Sequence, residues 1–105
     1  MELPNIIYLD QLCVDDDNSK LKMIQIIKKE LPIEINALKT NLHQNNFELA
    51  ANCVHKLKHK ISILGLEKSY YIAVQFENEL KTGTNNLQNE FYKILTVMQD
   101  FVIRL

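Results

Sequence analysis

The chain has 105 residues, 47% hydrophobic and 24% charged, with a formal charge of −1. This is the balance of one ordinary globular domain spanning 1–105. It excludes a broadly basic nucleic-acid binder, and the single Arg among twelve basic residues weakens any base or phosphate readout. Two Gly and two Pro are about a third of their usual share, too few for the tight turns of an all-β fold. The two glycines stand alone, so no Walker or dinucleotide loop is present. Two cysteines make no disulfide framework. Glu2, Pro4 and Asn5 break any secretory leader, and no apolar run approaches a membrane span. A soluble, reduced, cytoplasmic protein is expected.

Helical periodicity runs through the chain. A short helix is expected near Ile6 to Cys13. Asp15, Asp16, Asp17, Asn18 and Ser19 then offer caps and negative charge to a helix start. The stripe Leu21, Ile24, Ile27, Leu31, Ile35, Leu38, Leu42 keeps phase across Pro32, which either kinks one long helix or starts its second half. Phe47, Ala50, Val54, Leu57, Ile61 and Leu64 form a third helix, with Asn45 or Asn46 to cap it and Gly65 to end it. A fourth runs from Glu67 to Lys81 with Tyr70, Ala73, Phe76 and Leu80 inward, closed by Lys81-Thr82-Gly83-Thr84. The last carries Leu87, Phe91, Ile94, Leu95, Met98, Phe101, Val102 and Leu105, with Asn85 or Asn86 at its start. Short connections make successive helices antiparallel. The expected fold is therefore all-α, an up-down-up-down antiparallel four-helix bundle with a short extra N-terminal helix.

Chemistry concentrates in the third helix. At about 100° per residue, His55 lies roughly 130° from the centre of the apolar stripe. It shares an outward face with Glu48, Asn52, His59 and Ser62. From Leu49 to Leu66 there are three lysines (Lys56, Lys58, Lys60) and no acid, while the rest of the chain has nine basic and thirteen acidic residues. A positive field disfavours protonation of an imidazole. Neutral imidazole is a nucleophile, and ammonium groups beside it attract a phosphoryl group.

His55-Lys56-Leu57-Lys58-His59, followed by Gly65 ten residues after the first His, resembles the histidine-phosphotransfer (Hpt) domains of multistep phosphorelays. These carry His-x-Leu-Lys-Gly and a later Gly. Phe76-Glu77 resembles an apolar-Glu pair of the family's next helix. Tyr8-Leu9-Asp10-Gln11-Leu12, Glu30-Leu31-Pro32 and Phe47-Glu48-Leu49-Ala50 also look like the family, so the resemblance covers nearly the whole chain. It implies that His55 is the phosphoacceptor, that Lys58 steadies the phosphoryl oxygens, that Glu77 helps fix the imidazole tautomer, and that Gly65 allows close packing at the helix end. It implies response-regulator receiver domains as partners, with a hybrid sensor kinase as a further candidate. The receiver supplies Mg²⁺, and the chain has no intrinsic cofactor and no ATP-binding motif. His59 stands where the family usually has a small residue, and Lys60 where it often has Ser. Both, with Ser62, are assigned to the phosphate site or partner contact.

Other readings are available. His55 and His59 have the i, i+4 spacing of a metal pair, but no Glu follows the first His and the lysines repel a cation, so no metal is expected. His43 suits a C-terminal helix turn. Tyr70 and Tyr71 are adjacent, so at most one faces the core. Cys13 and Cys53 lack a redox motif. The reading adopted is a monomeric phosphorelay intermediate that binds no nucleic acid or membrane. The alternative is an adaptor of the same fold that binds receiver or kinase domains without being phosphorylated.

Overall fold

The computed structural model describes residues 2–105. It contains α1 (Ile7–Leu12), α2 (Asp17–His43), α3 (Phe47–Ile63), α4 (Glu67–Lys81) and α5 (Gln88–Val102), with no strand among the described residues. Helices α2 to α5 pack in a ring, each on the next and α5 back on α2, in a body of 45 × 23 × 19 Å. The connections are short enough that each helix must reverse on its predecessor. The up-down-up-down bundle with an extra N-terminal helix is thus present.

Three of the turns use one device. Asn45, Gly65 and Gly83 have φ of 58°, 74° and 87°, each just past a helix end. The next amide then reaches back six residues inclusive: Asn46 to Asn41 at 2.8 Å, Leu66 to Ile61 at 3.1 Å and Thr84 to Glu79 at 3.0 Å. This is the Schellman closure, which satisfies carbonyls that a helix end leaves unpaired. Asn45 therefore ends α2. Asn46 does occupy the start of α3, but its side chain makes no capping bond. At α5 neither Asn85 nor Asn86 is the cap: Leu87 holds that place, and its amide donates to the Glu79 carboxylate at 2.6 Å. Of the acidic run before α2, Asp16 is the residue that caps, accepting the Ser19 amide at 3.1 Å.

Helix α2 is continuous through Pro32, so no second helix begins there. Its buried stripe is Ile27, Leu31, Ile35, Leu38 and Leu42. Leu21 does not join it and is 57% exposed. The 27-residue α2 outruns its 17-residue neighbour α3, and α1 with the residue after it packs on its first turns. There Leu9 is fully buried, the Cys13 thiol faces Met23 Sδ at 3.7 Å, and Lys20 pairs with Asp10. Ala50, Ala51 and Ala73 are buried, and small side chains let α3 and α4 approach closely. Phe76 and Phe91 meet at the centre with ring centroids 5.1 Å apart, within the range of favourable aromatic contact.

The N-terminal arm ties the α3–α4 turn. Glu2 accepts the amides of Lys68 and Ser69 at 3.0 and 2.8 Å, capping α4 from outside its own sequence. The Asn5 amide donates to Leu64 O at 2.9 Å. A Cβ on Gly65 would lie 2.6 Å from Asn5 Nδ2, so Gly65 serves both a positive φ and a close approach.

Candidate functional site

Val54 and Leu57 are fully buried, which turns His55 outward on α3. Its side chain is 57% exposed, and Nδ1 lies 3.3 Å from Glu77 Oε2. Glu48, Asn52, His59 and Ser62 are exposed along the same face. On α4, Phe76 enters the core and places its neighbour Glu77 against α3, where the carboxylate is only 8% exposed.

A buried carboxylate is costly unless paired, and Glu77 is paired from two helices. Lys58 Nζ of α3 is 2.8 Å from Oε1. Lys81 Nζ of α4, one turn beyond Glu77, is 3.2 Å from Oε2. The Lys58 contact lies off the hydrogen-bonding direction, so Oε1 has an ion pair without an aligned donor. Burial pushes the Glu77 carboxyl up, but the Lys58 and Lys81 ammonium groups outweigh it and hold the group below its ordinary value. It is therefore ionised at neutral pH. Lys58 is itself confined, with its ammonium 5.9 Å from the centre of the Tyr70 ring.

A carboxylate facing Nδ1 favours the tautomer with its proton there and leaves the Nε2 lone pair free. The site thus offers an accessible imidazole nitrogen beside two ammonium groups. His59 stands one turn on, its ring edge-on to that of His55 with centroids 5.6 Å apart.

The structure brings together His55, Lys58, Glu77 and His59. It does not bring Lys60. That residue was expected at the phosphate site or partner surface, but it is 8% exposed and bonds Glu30 and Glu34 of α2 at 3.1 and 3.0 Å. The lysines consequently do not form one patch. Lys56 is exposed over a hollow shared with Ile26, Lys29 and Ile33. A carboxylate, that of Glu77, stands 3.3 Å from the imidazole. Ser62 and Gly65 lie toward the end of α3, where they line an open groove of about 650 Å³ with Tyr8, Gln11, Tyr70 and Tyr71.

Lys81 was not singled out from the sequence. The available signal was its i+4 spacing from Glu77, which carried no weight while Glu77 had no known neighbour. No group of three or more His, Cys, Asp or Glu positioned to hold a metal occurs among the described residues.

No curated protein and no solved structure gives a significant match. The family model described as Hpt domain matches residues 22–104, from the early turns of α2 to beyond α5. The chain therefore belongs to the Hpt domain family, which serves histidine phosphotransfer in phosphorelays.

Proposed function

We propose that the chain is a phosphorelay intermediate that carries a phosphoryl group on His55 between the aspartates of two receiver domains. The supporting observation is the exposed imidazole whose Nδ1 faces a buried, lysine-paired carboxylate. In the transfer, the Nε2 lone pair attacks phosphorus in line. The P–O bond of the aspartyl phosphate breaks as the P–N bond forms, and the aspartate leaves as a carboxylate. The Nδ1 proton stays on the ring, opposite Glu77, which offsets the positive charge the ring acquires. Lys58 neutralises phosphoryl oxygens, the role for which its position beside the imidazole suits it. The return step reverses these events on a second receiver. Balanced exchange of this kind needs no nucleotide, and the chain acts in it as a carrier.

The Mg²⁺ for the reaction belongs to the receiver. One carboxylate held by two ammonium groups is a poor ligand set for a cation that wants several oxygens. We take the acting form as a cytoplasmic monomer, one unit over its 105 residues, meeting receivers transiently. A hybrid sensor kinase is a further candidate source of the phosphoryl group.

The test is phosphotransfer from a receiver domain loaded with labelled phosphoryl. The wild-type chain is expected to take an acid-labile, base-stable label, and His55→Gln to take none while keeping its helical circular dichroism. A folded wild type that stays unlabelled across several receivers, yet binds them, favours the adaptor reading. The observation behind that alternative is the bulk of His59 beside His55, and His59→Gly is its companion variant.

A further inference from the structure

Lys58 and Lys81 meet the same carboxylate under different constraints. Lys58 has a side chain 15% exposed and an aromatic ring against its ammonium. Lys81 is the last residue of α4, is 57% exposed, and meets Glu77 at Oε2, 3.2 Å away. That oxygen is also the one facing His55 Nδ1 at 3.3 Å. An imidazole and a solvent-exposed ammonium therefore share one oxygen atom as neighbour. Glu77 itself, 8% exposed and gripped from both sides, cannot move aside.

The charge balance of this cluster is lopsided. Two lysines against one carboxylate leave one positive charge in excess beside His55. A phosphoryl group on the imidazole brings about two negative charges, while Glu77 stays where it is. Lys58 alone then serves a carboxylate and a phosphoryl group together. We infer that Lys81 is a second cationic ligand for the phosphoryl group on His55, resting on Glu77 until that group arrives. The four-carbon stem and exposed end let it turn from Oε2 toward the phosphoryl oxygens without a backbone change. Glu77 thereby has a second use: it keeps an ammonium group beside the imidazole that would otherwise be dispersed in solvent.

The inference rests on His55 being the phosphoacceptor, and its test separates the two. The quantity to measure is the equilibrium distribution of phosphoryl between a receiver domain and the full chain, reached from both directions. A lysine that only helps the proteins dock changes forward and reverse rates equally and leaves this constant alone. A lysine that binds the phosphoryl group shifts it. Lys81→Met is expected to move the distribution toward the receiver by about three- to tenfold, the range for a partly exposed charge-assisted contact. Lys81→Arg is expected to stay within about twofold of wild type, since it keeps the charge. Lys56→Met makes the same change of net charge on the α2 side and is expected to leave the constant unmoved. An unchanged constant for Lys81→Met, or an equal shift for Lys56→Met, overturns the inference. A wild-type chain that takes no label overturns the assignment of His55 instead.

Discussion

Lys58 and Lys60 are two residues apart and have different lives. On a helix that separation is about 200°, so one side chain goes to α4 and the other to α2. Lys58 completes the Glu77 cluster, whereas Lys60 is a buried structural cation between Glu30 and Glu34. Composition alone counts both as one positive patch. Lys60→Met is expected to destabilise the fold by about 1–3 kcal/mol, because it leaves the half-buried Glu34 without its cation. Glu34 is only 18% exposed and has one oxygen already without a hydrogen-bond partner. Denaturant unfolding of Lys60→Met, alone and with Glu34→Gln, measures this. The second change is expected to recover part of the loss. Phosphoryl acceptance on His55 is expected to survive in both, since neither residue touches the imidazole. At this scale the sequence singled out His55, Lys58 and Glu77 through a resemblance, and the structure places their side chains together. It misplaced Lys60, since only the packing of α3 on α2 reveals which helix a side chain meets.

Among the elements, the turns carry the positional information. Gly65 and Gly83 both close helices at positive φ, but their surroundings differ. A Cβ on Gly83 meets nothing within 4 Å, whereas one on Gly65 meets the Asn5 amide. That amide is not free to withdraw, because its Oδ1 accepts the Ile7 N–H at 3.1 Å and starts α1. Gly83→Ala is expected to cost about 1 kcal/mol, the left-handed strain alone. Gly65→Ala is expected to cost about 1 kcal/mol more, for the displaced Asn5 contact. Thermal melts of the two variants give the comparison, and Asn5→Ala in the Gly65→Ala chain is expected to remove the excess. Helix extents were legible from apolar spacing, and α4 agrees from Glu67 to Lys81. Caps were less legible. An acidic side chain eight residues upstream in the preceding helix, as with Glu79, or at the far end of the chain, as with Glu2, satisfies a helix start that local sequence leaves open.

Across the whole molecule, two carboxylates bind distant parts together and make stability depend on pH. At Glu2, burial acts upward, and the amides of Ser69 and Lys68 outweigh it and lower the group. Glu77 is lowered by its two lysines against the same opposing burial. A carboxyl lower in the folded chain than in the unfolded one releases its proton more readily on folding. Its stabilisation is therefore complete above the unfolded value, about 4.3 for glutamate, and is lost as pH falls through the folded value. Melting temperature is expected to fall on acidification below about pH 4.3. Glu2→Gln and Glu77→Gln each lower the plateau at neutral pH and flatten the acid limb. A pH series of thermal melts on the three chains checks this. A limb of unchanged steepness in both variants assigns the acid loss to other carboxylates.

The sequence by itself determined the helices, their order and their inward faces, because apolar spacing and short connections admit few other arrangements. It also carried the resemblance to the Hpt family and the outward face of His55, because the His55–His59 stretch and its facing are properties of one helix. Only the tertiary structure decided which charges meet. Glu77 and Lys81 come from α4, His55 and Lys58 from α3, and their convergence depends on the depth and rotation at which those helices pack. The same packing withdrew Lys60 to α2 and brought Glu2 to the start of α4. Ion pairs form across distances of a few ångströms between residues far apart in the chain, and no local pattern records such a distance.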